Sequence, residues 1–321
     1  MTEALIIAHH LPDGIVRQLQ SRLPDGVTLA GTPKAPDHWQ VPADATAMIL
    51  LPPHGGIHYP PEKPEGWPFG LKWVQAVSTG VDDYPKWVWE VANATCGRGT
   101  QSNAIAEFAV ASILALEKRF PEAWIDKGDE WHHMQQNPLG TIEGKTVGIV
   151  GFGTIGQAIA QRAAPFGANV LATSRSGVLP AGSAAQAATL DEVLAQSDHL
   201  VLAAPLTPET RGMMNREAFA RMKRGAHFVN IARGPMVDQD ALLEALDSGH
   251  LRMATLDVTD PEPLPNGHPF YSHARVRLTP HMSWGKGGNP FDAIGGLIVE
   301  NIRRFQSGRE LLNPINRDAG Y

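Results

Sequence analysis

Short apolar runs recur along the first hundred residues, separated by polar or helical stretches. Leu5-Ile6-Ile7-Ala8, Val27-Thr28-Leu29-Ala30, Ala47-Met48-Ile49-Leu50-Leu51 and Trp73-Val74-Gln75-Ala76-Val77 each read as a buried strand. Asp13-Gly14 opens a helical pattern carried by Ile15, Leu19 and Leu23. This alternation predicts a parallel α/β sheet, whose crossover helices bury both of its faces. The stretch 52–68 is rich in proline and glycine and is expected as a surface loop. A buried apolar helix is predicted over 104–118, with Ser102 and Asn103 as its caps. Further strands are predicted at 146–150, 170–173, 200–203, 227–230 and 253–256. In the last helix Ile294, Leu297, Ile298, Ile302 and Phe305 share one stripe, and Gly308 stops it. The pattern is that of two α/β units, with the end of the chain returning to the first.

Composition narrows the partners. At 321 residues the chain can bury two cores, and its 43% hydrophobic and 19% charged content are ordinary for a globular protein. The net charge of −6 comes from 33 acidic and 27 basic residues with no basic block, which argues against nucleic acid or an anionic membrane as partner. A single cysteine, Cys96, rules out an internal disulfide framework and a cysteine-based zinc site, and the chain reads as cytoplasmic. The apolar run at 4–8 has no basic residue before it and suits a strand better than a secretory leader. No apolar stretch is long enough to span a bilayer. The adjacent pairs His9-His10 and His132-His133 point their side chains apart and lack carboxylate or cysteine partners, so no metal is expected.

The strand at 146–150 runs directly into Gly151-Phe152-Gly153-Thr154-Ile155-Gly156, and Ala158, Ile159 and Ala163 continue as a helix closed by Gly167. A GxGxxG alone is weak evidence; between a strand and a helix it predicts a dinucleotide site. Gly151 permits the tight turn, Gly153 lets a pyrophosphate approach the backbone, and Gly156 lets helix pack on strand. The phosphates then meet unpaired N–H groups at the helix start. The next strand ends at Thr173-Ser174-Arg175-Ser176. It carries no acidic residue to bond a ribose 2′-hydroxyl, and the next acid is Asp191. Arg175, between the hydroxyls of Ser174 and Ser176, suits a 2′-phosphate, so NADP(H) is favoured while NAD(H) stays open.

Several further segments, in order along nearly the whole chain, resemble the D-2-hydroxyacid dehydrogenase family. They are Val77-Ser78-Thr79-Gly80-Val81-Asp82, Ala104-Ile105-Ala106-Glu107, Ala204-Pro205-Leu206-Thr207-Pro208-Glu209-Thr210, Asn230-Ile231-Ala232-Arg233-Gly234-Pro235, Leu256-Asp257-Val258-Thr259-Asp260-Pro261-Glu262-Pro263 and Leu278-Thr279-Pro280-His281. Among its branches, the Ser-Arg-Ser segment and the 259–265 stretch look most like the NADPH-dependent glyoxylate/hydroxypyruvate reductases. Reduction of a 2-oxo acid needs a hydride at carbon 2, a proton for the carbonyl oxygen and a cation for the carboxylate. The resemblance implies His281 as proton donor, a role suited to a side chain titrating near neutrality. It implies Glu262 as the carboxylate on the other ring nitrogen and Arg233 as the grip on carboxylate and carbonyl. Backbone N–H groups of Ser78, Thr79 and Gly80 would complete carboxylate binding. Thr79, Pro205, Ala232 and Asp257 would lie along the cofactor, Asp257 at its nicotinamide end.

The resemblance further implies a Rossmann dinucleotide-binding domain over 101–284, inserted into a flavodoxin-like substrate domain. That second domain is built from 1–100 and from a C-terminal helix and tail over 285–321, with ligands in the cleft between the two. Trp124 and Trp131 fall where the family often forms a dimer arm, so a homodimer is expected, with local packing as the alternative for these rings. The roles of His54, Trp131 and Trp284 are open; Trp284 either walls the substrate pocket or belongs to the core. Two other functions remain: a phosphite-type dehydrogenase on the same scaffold, and a dinucleotide-sensing corepressor-like protein. Glu262, where the formate enzymes carry glutamine, disfavours a formate dehydrogenase.

Overall fold

The computed structural model describes residues 4–32, 39–53, 56–285, 291–317 and 319–321; His54 lies outside them. The chain divides into two compact units, Met1–Gln101 with Lys286–Tyr321, and Ser102–Gly285.

The first unit holds a parallel sheet of β1 (Leu5–His9), β2 (Val27–Gly31), β3 (Ala45–Leu50), β4 (Trp73–Ala76) and β5 (Asn93–Thr95), in the order β2-β1-β3-β4-β5. That is the flavodoxin-like order. Because successive strand residues face opposite sides, the sheet makes two cores. Leu5, Ile7, Ala47, Ile49 and Trp73 pack with Leu19 of α1 (Asp13–Gln20) and with Ile294, Ile298 and Ile302 of α8 (Phe291–Gln306). On the other side Ala8, Met48, Leu50, Val74 and Ala76 meet Trp39, Tyr59, Trp67 and Trp87. The rings of Trp39, Trp67 and Trp87 interlock at centroid distances of 5.0–5.5 Å.

This corrects the expectation for 52–68. Its described part is irregular, but Ile57, Tyr59 and Trp67 are buried, because their large apolar areas join Trp39 and Trp87 over this face of the sheet. The first helix is also shorter than its pattern and stops before Leu23.

The second unit is doubly wound. Its seven parallel strands are β6 (Thr146–Val150), β7 (Asn169–Thr173), β8 (Gln186–Ala187), β9 (His199–Leu202), β10 (Ala226–Asn230), β11 (Leu251–Leu256) and β12 (Val276–Leu278), ordered β12-β11-β10-β9-β6-β7-β8. Val147, Ile149, Val201 and Val229 pack against Ile105, Ala109 and Ile113 of α2 (Ser102–Glu117) and Ile159 of α4 (Thr154–Ala163). On the opposite face Leu200, Leu202, Phe228 and Leu256 pack with Val193 of α5 (Leu190–Gln196), Phe219 of α6 (Arg216–Arg221) and Leu242 of α7 (Gln239–Asp247). The short α3 (Trp131–Gln135) lies in the connection between α2 and β6.

The strand order reverses between β6 and β9, so the carboxyl ends of these two strands flank the crevice where such sheets take ligands. Ser102 and Asn103 do not cap α2, as the sequence suggested, but form its first turn. The Ser102 hydroxyl donates instead to Thr154 Oγ1, tying α2 to the start of α4. Among the described residues no helix is long and apolar enough to cross a membrane.

Candidate active site

At the carboxyl end of β6, Gly151 has φ +101°, and a Cβ there would meet the backbone of Ala204 at 2.6 Å. A Cβ on Gly156 would reach the carbonyl oxygen of Gly151 at 2.3 Å. Those two glycines are demanded by the protein's own packing. Gly153 is not: a Cβ there meets nothing within 4 Å, and its φ of −77° suits any residue. What its bareness preserves is open space at the head of α4, where no side chain caps the helix. Exposed N–H groups, a favourable dipole and a missing Cβ together fit a pyrophosphate, so the site suits a dinucleotide on structural grounds.

The neighbouring strand β7 ends at Ser174-Arg175-Ser176. Both serine hydroxyls donate to the carbonyl of Val178, at 2.8 and 3.2 Å, and shape the turn. Arg175 is the charged group of this segment. Asp191, the next acid, pairs with Arg221 at 2.9 Å.

Across the switch point, the ends of β9, β10, β11 and β12 carry the remaining predicted residues of this unit. Pro205 follows β9, where its carbonyl accepts from Thr210 Oγ1. After β10, buried Asn230 bridges the turn: its Oδ1 accepts from Ala232 N and its Nδ2 donates to Arg233 O. Arg233 is extended, with its guanidinium on the carbonyl of Ala232 at 2.8 Å. A Cβ on Gly234 would strike Thr259 O at 1.9 Å, so this turn lies directly on the segment that carries Glu262.

Glu262 and His281 meet. Glu262 Oε2 lies 2.8 Å from His281 Nδ1, and Oε1 accepts from Thr259 N at 3.0 Å. Burial pushes the Glu262 carboxyl up. The hydrogen bonds from His281 and Thr259 and the charges of His281 and Arg233 outweigh it and hold the group below the usual carboxylate range.

His281 sits at φ +50°, a conformation that costs energy outside glycine and needs support from its surroundings. Asp257, buried at the end of β11, gives that support. Its Oδ1 accepts from Thr279 Oγ1 and Met282 N, its Oδ2 from Ser283 N, and its carbonyl from His281 N. Both carboxylate oxygens, expected near the nicotinamide, are thus engaged in shaping the turn that presents the imidazole. Trp284 donates its indole N–H to His281 O at 2.7 Å and is 41% exposed, which removes the core alternative for this ring.

In the first unit, β4 leads into Ser78-Thr79-Gly80. None of the three backbone N–H groups meets an acceptor among the described residues. Gly97 N donates to Ser78 O at 2.7 Å, and Thr79 Oγ1 bonds Gly97 O. Three consecutive backbone donors of this turn are thus left without a protein acceptor among the described residues.

Residues 110–283 match the family described as D-isomer specific 2-hydroxyacid dehydrogenase, NAD binding domain. The chain belongs to this dehydrogenase family. It is therefore an NAD(P)-dependent oxidoreductase acting on 2-hydroxy acids, with a Rossmann cofactor domain. Among its relatives is a glyoxylate reductase of Thermococcus kodakarensis, 39% identical over 229 residues, which are 68% of each chain. A family member from Xanthobacter autotrophicus, solved with NADPH and MES, superposes with TM-score 0.80 at 30% identity and covers 99% of this chain and 100% of its own. The NADPH-dependent glyoxylate/hydroxypyruvate reductase of Sinorhizobium meliloti, solved with NADP and sulfate, gives TM-score 0.78 at 25% identity over 99% and 100% of the two chains.

At the amino ends of its strands the dehydrogenase has a second polar cluster, which its sequence did not announce. Buried Glu117, the last residue of α2, meets Lys145 at 2.5 Å, Arg252 at 3.1 Å and His199 at 3.4 Å. His199 Nδ1 lies 3.3 Å from His227 Nδ1, and His227 Nε2 is 2.9 Å from Thr255 Oγ1. Burial raises the Glu117 carboxyl, but hydrogen bonds and charge from His199 and Lys145 prevail and hold it at about 2. Burial first, then the charges of His199, Arg252 and Arg277, push His227 well below its ordinary value. Spacings of tens of residues join these groups, so no local motif could have revealed them.

Proposed function

We propose that this dehydrogenase reduces a small 2-oxo acid of the glyoxylate or hydroxypyruvate kind to the D-2-hydroxy acid, with NADPH as the favoured reductant. The observation that carries the reading is the Glu262–His281 pair, held on a strained turn next to the Arg233 segment. When bound, the nicotinamide supplies the hydride that reaches carbon 2. His281 donates the proton that the carbonyl oxygen gains, and Glu262 fixes the ring by its other nitrogen. Arg233 binds the carboxylate and polarises the carbonyl, and N–H groups of Ser78, Thr79 and Gly80 also serve carboxylate binding.

The open head of α4, at Gly153, Thr154, Ile155 and Gly156, would hold the pyrophosphate. Arg175 would meet the 2′-phosphate, with Ser174 and Ser176 shaping its loop. Thr79, Pro205 and Ala232 belong beside the rest of the cofactor, and Asp257 acts through the His281 turn.

A homodimer is also part of this reading. Trp124 and Trp131 are 68% and 56% exposed, alongside exposed Phe120 and Leu139, in the connection after α2. Apolar area of this kind favours a protein partner, and light scattering of the purified protein tests it. For the activity, the experiment is a panel of 2-oxo acids with NADPH and with NADH. Oxidation of NADPH by glyoxylate or hydroxypyruvate, faster than that of NADH, is expected; no turnover with any member removes the reading.

A further inference from the structure

Ser78 carries a side chain that the proposed chemistry does not use, and its position ties the 78–80 segment to a buried phenol. Ser78 Oγ donates to Gly80 O at 2.7 Å, folding the segment back on itself. The same oxygen lies 3.0 Å from the hydroxyl of Tyr84. A serine hydroxyl has one proton, and a carbonyl can only accept, so Tyr84 is the donor in this second bond. Tyr84 itself is fixed. It is 5% exposed, and its ring packs edge-on to Tyr59 at 5.3 Å and tilted against Trp89 at 5.0 Å. Burial, aided by Asp83 and Cys96 and opposed by the Ser78 hydrogen bond, drives its pKa well above the ordinary phenol value and keeps it a neutral donor.

The relay therefore runs from the aromatic core through Tyr84 and Ser78 to the carbonyl of Gly80. With the carbonyls of Ser78 and Gly80 and the Ser78 side chain paired internally, the N–H groups of residues 78, 79 and 80 stay without a protein acceptor among the described residues. Without the phenol, Ser78 Oγ loses the bond that fixes its rotamer, and the turn can relax. We propose that Tyr84 is a positioning residue: through Ser78 it holds the 78–80 turn in the shape that receives the substrate carboxylate, and so sets affinity for the 2-oxo acid rather than the rate of its reduction. This rests on the carboxylate-binding role proposed above for the turn.

Tyr84→Phe removes one oxygen and keeps the ring. Steady-state kinetics with glyoxylate and NADPH should show KM raised about five- to tenfold, the size of one buried hydrogen bond. kcat and NADPH affinity should stay within about twofold. Ser78→Ala should do the same, and the Tyr84→Phe/Ser78→Ala double variant should be no worse than Ser78→Ala alone, because the two act in one chain. Tyr59→Phe is the structural control. It removes a neighbouring buried hydroxyl that bonds Leu51 O, and should lower stability without moving KM. An unchanged KM in Tyr84→Phe, a kcat loss in place of a KM rise, or full additivity in the double variant overturns the proposal alone. Wild-type protein that reduces no 2-oxo acid overturns the underlying reading, and the proposal with it.

Discussion

At the amino ends of β6, β9, β10 and β11, Glu117 is met by Lys145, Arg252 and His199, while His227 passes the contact on to Thr255. At the carboxyl ends of the same strands the polar groups are arranged otherwise. The head of α4 has no side-chain cap, a Cβ on Gly153 would meet no atom of the described residues within 4 Å, and Glu262 and His281 stay about one-third exposed. Both edges carry titratable groups with displaced acidities, so displacement alone does not mark a functional site. What separates the edges is spare capacity. In the amino-end cluster Glu117 is enclosed by charged protein partners at 2.5–3.4 Å, an arrangement suited to the stability of the fold. The carboxyl-end edge keeps an uncapped helix head and open space at Gly153, and carries its backbone strain at His281, the proton donor of the proposed function.

Variants can break this contrast, beginning with the largest effect. Glu117→Ala leaves Lys145 and Arg252 beside a void and should cost roughly 3–5 kcal/mol in denaturant unfolding. The Glu117 pKa in the folded state lies below the unfolded value. The stabilisation is therefore complete above the ordinary glutamate range and is lost as pH falls toward 2. Glu117→Gln should flatten that part of the pH–stability curve, and an unaltered curve would place the stabilisation elsewhere.

Glu262→Gln should leave stability near wild type and lower turnover by about 10²-fold. Turnover retained within a few-fold of wild type would refute the pairing.

Arg175→Ala should weaken NADPH about tenfold in a binding titration and leave NADH unaffected, as expected for one charged hydrogen-bond donor. Equal losses for both cofactors would deny the 2′-phosphate assignment. Gly153→Ala sharpens the contrast most finely. It should change stability by less than about 0.5 kcal/mol, since the new Cβ meets nothing. NADPH affinity should still drop about fivefold; unchanged affinity would mean the open space serves no ligand.

Much of this was legible in the chain. Long apolar runs gave the strands β1, β3, β6, β9 and β10 to within about two residues, since a strand buried on both faces needs continuous hydrophobicity. The strands β5, β8 and β12, of two or three residues, are too short to carry a period. The glycine loop was readable because three positions at fixed spacing answer three local demands, although only the packing distinguishes Gly153, open above, from Gly151 and Gly156, closed by neighbouring backbone. The contact of Glu262 with His281 was anticipated through the family likeness. The clamp of Asp257 on Thr279, Met282 and Ser283 was not, because it depends on how a turn of positive φ folds around one carboxylate. Tyr84, Asn230 and Glu117 were missed for the same reason: their partners are set by tertiary packing.

The most direct test of the central claim is a paired measurement on His281→Ala, of turnover with glyoxylate and of NADPH affinity. The protein should lose about 10²- to 10⁴-fold in kcat, with an NADPH dissociation constant close to that of wild type. Turnover retained within a few-fold of wild type would contradict the assignment of the proton donor, and with it the reading of the carboxyl-end edge as the catalytic one.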